Sequence, residues 1–76
     1  MKKVFVHLDS YESLRFESPE FVMYMNDNNI CVCCADPDAH RSWEIDLEGK
    51  WVTCWFIDDF GEPVGNDISF LWIQIE

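Results

Sequence analysis

The sequence predicts an all-β domain over residues 1–76, built as a small antiparallel sheet of about six strands that curls toward a barrel. Three observations predict it. Short runs of β-branched and aromatic residues alternate with polar ones at the period of a strand. Clusters of Asn, Asp, Gly and Pro separate those runs. Residues 43–57, Trp-Glu-Ile-Asp-Leu-Glu-Gly-Lys-Trp-Val-Thr-Cys-Trp-Phe-Ile, read as a β-hairpin with Gly49-Lys50 at its tip. An α+β fold with a short helix near residues 19–26 is the alternative.

Residues 2–8 alternate and form the first strand, and residues 9–12 are turn material. Residues 13–17 return, with Leu14 and Phe16 on the face of Val4, Val6 and Leu8. Ser18-Pro19-Glu20 resembles a helix start. The residues that follow, Phe21 to Met25, are apolar on every side, and a strand fits them better. Paired with residues 30–35 across Asn26-Asp27-Asn28-Asn29, it sets Phe21, Met23 and Met25 against Cys34, Val32 and Ile30. Pro37 ends that ladder.

In the central hairpin, Gly49 suits the positive φ of a two-residue II′ turn. Leu47 then faces Val52, Ile45 faces Cys54, and Trp43 faces Phe56. The opposite face pairs Glu48 with Trp51, Asp46 with Thr53, and Glu44 with Trp55. Residues 58–67 follow as the longest irregular stretch, broken by Gly61, Pro63 and Gly65. Residues 68–75 form the last strand. The 51–57 and 68–75 strands are apolar on both faces, so closure, a second layer or a partner chain must cover them. An apolar C-terminal strand at a sheet edge offers a homodimer contact.

A domain of this size buries only about 60% of the surface its unfolded chain exposes. This one compensates with 49% apolar residues, including six Phe, four Trp and two Tyr. Fifteen acids against five bases give a formal charge of −10. That charge argues against direct nucleic-acid binding, which rests on neutralising phosphates, and against an anionic membrane surface. It favours a basic protein as partner, and it also keeps an apolar chain in solution. Val-Phe-Val-His-Leu-Asp after the initial Met-Lys-Lys is too short and too soon charged for an export signal. Four cysteines without one point to free thiols in a reducing cytoplasm.

The carboxylates of Glu44, Asp46 and Glu48 recur at every second residue, about 6.6–6.8 Å apart along a strand. A solvated outer face explains them alone. Trp51 and Trp55 on the same face add a functional reading, because indoles are costly to expose and common at binding hot spots. Asp58, Asp59 and Glu62 extend the acidic footprint. Their spacing matches no calcium loop.

Cys31, Cys33, His40 and Cys54 are the residues that a zinc site would draw on, though Cys-x-Cys-Cys is not the usual spacing. Buried cysteines acting as small hydrophobes explain them better. Neither His7 nor His40 forms a recognisable nucleophile pair with a cysteine, and no phosphate loop or nucleophile elbow is present. The chain therefore reads as no enzyme and as needing no cofactor. In size, acidity and aromatic content it resembles the small inhibitors that phages and mobile elements direct against host nucleases and CRISPR complexes. The resemblance implies a non-catalytic acidic inhibitor acting in the cytoplasm of a bacterial host. There it would cover a basic, nucleic-acid-binding surface with Glu44, Asp46, Glu48, Trp51, Trp55, Asp58, Asp59 and Glu62. An immunity protein or antitoxin against a basic toxin is the next reading, and a small zinc-binding module follows it.

Overall fold

A computed structural model describes residues 1–9 and 11–76, so Ser10 of the expected first turn lies outside the described residues. The all-β antiparallel class is what the structure shows. Among the described residues eight strands lie in two sheets, and neither closes into a barrel. They are β1 (Lys3–His7), β2 (Ser13–Glu17), β3 (Phe21–Asn26), β4 (Asn29–Cys34), β5 (Arg41–Asp46), β6 (Trp51–Ile57), β7 (Pro63–Ser69) and β8 (Trp72–Ile75). The smaller sheet runs β2-β1-β8 and the larger β3-β4-β5-β6-β7. Among the described residues there is no helix long and apolar enough to cross a membrane.

The first two hairpins keep the expected registers. Val4 pairs with Phe16 and Val6 with Leu14. Phe21, Met23 and Met25 meet Cys34, Val32 and Ile30, which excludes the helical alternative for residues 19–26. Asp27 supplies the positive φ of that turn, at 55°.

Two expectations near the C-terminus need correction. The irregular stretch is only a three-residue loop, Asp59 to Gly61, and Pro63 already opens β7. The Gly61 N–H bonds to the Asp58 carbonyl at 3.1 Å, and Gly61 takes φ 79°. A turn followed by a left-handed glycine is a common three-residue hairpin connection. Pro63 fits because β7 is an edge strand, where its missing N–H faces outward. The final apolar run is also not one strand. It breaks at Phe70-Leu71, and β8 crosses to the smaller sheet, where Val4 pairs with Ile75. The Phe70 N–H bonds to the Lys50 carbonyl of the larger sheet, while the Leu71 N–H bonds to the His7 carbonyl of the smaller one.

That crossover makes a two-layer packing. Val4, Val6 and Phe16 of the smaller sheet bury against Ile30, Val32, Trp43, Ile45 and Val52 of the larger, with Phe70 between them. Phe16 sits at 4.9 Å from the Trp43 ring and 5.1 Å, edge-on, from Phe21. The second layer covers one face of each sheet. It leaves Trp51, Trp55 and Ile57 on the uncovered face of β6.

Ile45 is fully buried, so Ile45→Ala should lower unfolding free energy by about 2–5 kcal/mol. Val22→Thr, on the uncovered face, should change it by no more than about 0.5 kcal/mol. Urea denaturation of both variants checks the assignment of the two faces.

Candidate functional site

The outer face of the larger sheet carries most of the residues that the sequence singles out. Its sorting follows from the β5–β6 turn, which differs from the expected one. The loop has four residues, Leu47 to Lys50, and the register is shifted by two. Asp46 pairs with Trp51, Glu44 with Thr53, Ser42 with Trp55, Ile45 with Val52, and Trp43 with Cys54. A shift by two leaves every side chain on its own face, whereas a shift by one would invert them all. The division into a core face and an acidic-aromatic face therefore stands.

Lys50, not Gly49, takes the left-handed backbone conformation, at φ 58°. Gly49 suits the turn for a different reason. A Cβ there would lie 3.2 Å from the Trp51 ring and 3.3 Å from Asp46 Oδ2. Asp46 Oδ1 accepts from the N–H groups of Glu48 and Gly49, at 3.0 and 2.9 Å. The Asp46 carboxylate thus holds the turn as well as adding charge to the face. Glu48 lies in the turn, beyond the end of the strand.

Three rows cross this face. One is Asn26, Asn29, Asp46, Trp51 and Ser69. The second is Tyr24, Cys31, Glu44, Thr53 and Asp67. The third is Val22, Cys33, Ser42, Trp55 and Gly65. Among them Glu44, Asp46 and Asp67 are acidic and none is basic. Trp51 is 46% exposed and Trp55 37%. Trp55 lies flat over Gly65, where an added Cβ would meet its ring at 2.8–3.0 Å. A glycine opposite an aromatic gives the ring a floor and holds it in place.

Asp67 is part of this face and was not singled out as a site residue. Thr53 Oγ1 donates to its Oδ1 at 2.6 Å. Pro63 and Gly65 masked the strand that carries it. The signal was the Asp59-Phe60-Gly61 turn, which sets Val64 opposite Phe56, Ile68 opposite Val52 and hence Asp67 on the outer face. Asp58, Asp59 and Glu62 lie at the β6–β7 turn. Asp58 Oδ1 accepts the N–H groups of Phe60 and Glu62, both at 2.9 Å, so Asp58 too is a turn residue. Asp59 and Glu62 are exposed.

An open cleft of about 410 Å³ sits at the end of the face, lined by His40, Ser42, Glu44, Trp55, Phe56, Ile57 and Pro63. One carboxylate stands there beside an indole.

The structure does not gather the zinc candidates. Strand alternation puts Cys31 and Cys33 on the outer face of β4, while Cys54 packs against the core on the inner face of β6. His40 precedes β5 with φ 51°. No cluster of three or more metal-ligating side chains occurs among the described residues. His7 is on the other sheet, stacked on Trp72 at 3.7 Å between ring centroids.

Tyr24 is held above the ordinary tyrosine value of 10.0. The main cause is negative charge on the neighbouring Cys31 thiolate, and a hydrogen bond to that sulfur adds to it. Smaller contributions come from desolvation, Cys33 and Glu44. A raised value means that the folded state keeps its proton more tightly than the unfolded chain. Its contribution to stability is complete below pH 10 and is lost as pH rises through the raised value.

Comparison with family models, with curated proteins and with solved structures finds no match for this chain.

Two measurements check the face. Gly65→Ala should displace the Trp55 ring, shift tryptophan emission and cost about 1–3 kcal/mol in stability. Cys31→Ser should move one tyrosine of the absorbance titration down toward the ordinary value and leave the other in place. If both tyrosines titrate identically in the two proteins, Tyr24 and Cys31 are not neighbours.

Proposed function

We propose that this chain is a non-catalytic inhibitor that lays its acidic-aromatic face on a basic, nucleic-acid-binding surface of a target enzyme or complex, in the manner of anti-CRISPR or anti-restriction proteins of phages. The observation that carries the reading is the outer face of the larger sheet. There Glu44, Asp46 and Asp67 share a surface with two half-exposed indoles, and the ion pairs among the described residues, Lys3–Glu17 and Arg15–Glu17, involve none of the three. Exposed tryptophan on a rigid strand is a poor choice for a merely soluble surface. It is a good choice for a contact that sheds water on binding.

The chemistry suits arginine and lysine. The guanidinium of a partner arginine can lie on the Trp55 face while Glu44 accepts its N–H groups in the same cleft. The charge of −10 would steer the encounter and make its rate fall with salt. Fixed carboxylates on a sheet keep their spacing better than carboxylates on a loop. That favours imitation of a phosphate row over a diffuse acidic tail.

The test begins with capture from a bacterial lysate at low and high salt, followed by purification of the captured target. Basic nucleic-acid-binding proteins should be recovered, and the chain should compete with duplex DNA for them. The variant to compare carries Glu44→Gln, Asp46→Asn and Glu48→Gln, because asparagine keeps the acceptor that holds the turn. It should fold normally and associate about tenfold more slowly, with a weaker dependence on salt. A variant that binds the target with unchanged affinity and unchanged salt dependence rules the reading out.

A further inference from the structure

We infer that the free edge of β3 is a strand-addition site, and that its occupant is an extended segment of another protein with alternating apolar residues and a basic residue at each end. Two sheets leave four edges, and three of them are guarded or short. In antiparallel ladders, alternate residues turn both backbone groups toward the neighbour and the residues between turn theirs outward. The bonds that frame each strand therefore identify what each edge presents.

On β2 the outward residues are Ser13, Arg15 and Glu17, because Glu12 and Ser18 bond to β1. Arg15 and Glu17 are charged and paired at 2.8 Å. On β7 they are Pro63, Gly65, Asp67 and Ser69, because Glu62 and Phe70 bond to β6 and Lys50. Proline lacks the donor and Asp67 adds charge. On β8 only Ile73 and Ile75 face outward, because Glu76 bonds to Lys3. Charge, proline and shortness are the devices that keep edges from pairing.

β3 has none of them. It is six residues long, and its register with β4 is unbroken. Glu20 accepts from Ala35, so Phe21, Met23 and Met25 turn their N–H and C=O groups outward. No hydrogen-bond partner for those groups occurs among the described residues. Val22 and Tyr24 are 53% and 51% exposed beside that edge and would flank the side chains of an added strand. Backbone pairing would supply affinity and the alternate side chains specificity.

Charge selects the occupant. A second copy centred on Met23 would set Glu20 of each chain beside the Asn26-Asp27 end of the other, between molecules that already carry −10 each. A foreign segment with lysine or arginine at both ends would meet Glu20 at one end and Asp27 at the other. This assignment rests on the backbone edge of β3 and not on the carboxylates of the acidic face, which lie on β5 and β7.

The probe is a synthetic peptide of alternating valine and threonine with two lysines at each end. A second peptide has the same charge but alternate backbone nitrogens methylated. Amide NMR follows both. The first should shift and protect the amides of Phe21, Met23 and Met25. The methylated form should not. Met23→Pro, or Met25→Pro should the former fail to fold, should weaken peptide binding by about tenfold through one lost backbone donor. Three outcomes overturn the inference. The methylated peptide binds equally well, or the shifts map to β8 or to Trp51 and Trp55, or the chain alone is a dimer that the proline variant dissociates. The Glu44, Asp46 and Glu48 variant should bind the peptide as the parent does, which separates this outcome from the fate of the inhibitor reading.

Discussion

Backbone reversal by aspartate is the interaction on which the architecture stands. Asp9 accepts from the N–H groups of Tyr11 and Glu12, Asp36 from Asp38, Asp46 from Glu48 and Gly49, and Asp58 from Phe60 and Glu62. Asp27 adopts the left-handed backbone that its own turn needs. Each hairpin among the described residues has an aspartate at its turn, and at Asp9, Asp46 and Asp58 the carboxylate holds two amides. An ionised carboxylate bonded to two amides near a strand end is a strong local constraint. It fixes where the chain folds back, and that sets which residues share a face. The division into core and outer surface thus has a local cause at each of these turns.

The same residues change the meaning of the net charge. An acidic composition invites one explanation for all of its carboxylates. Here the aspartates at turns have a structural reason to be present whatever the chain binds. The carboxylates free of that duty and fixed on the outer strands are few, chiefly Glu44 and Asp67. The indoles are held as firmly as the acids. Trp51 lies against Gly49 and Trp55 against Gly65, so each ring has a backbone floor beneath it. Little side-chain entropy remains to be lost when such a surface meets a partner. Of the basic residues, Lys3 and Arg15 lie on the smaller sheet beside Glu17 and Arg41 lies over the Trp43 ring, while Lys50 borders the face at the β5–β6 turn.

Much of the fold was legible because strand alternation survives errors of register. The β5–β6 hairpin shows this well. The turn was misread, the pairing moved by two, and still Trp43, Ile45 and Val52 pointed inward while Glu44, Trp51 and Trp55 pointed outward. The errors came from residues that carry two messages. Gly49 reads as a φ signal but serves close approach to Trp51. Pro63 and Gly65 read as breakers but belong to an edge strand, where a missing donor and a missing side chain are both useful. Residues 68–75 are uniformly apolar, and nothing local marks the point where the chain leaves one sheet for the other. That point is decided by tertiary packing, with Phe70 buried between layers. The cysteines illustrate the converse. Their number invites a metal site, but their spacing already argues against one, and the alternation of β4 and the pairing across β5 send Cys31 and Cys33 to one face and Cys54 to the other.

The pairing of β1 with β8 has a consequence for how the molecule assembles. The larger sheet is a meander in which each strand meets its sequence neighbour, so its loops close cheaply and early. The smaller sheet needs Val4 beside Ile75, nearly the full span of the chain. Until β8 arrives, the β1–β2 hairpin can cover the meander with Val4, Val6 and Phe16 but leaves one edge of β1 unpaired. This topology predicts nucleation in the middle of the chain, with the two ends locking it last, like a clasp.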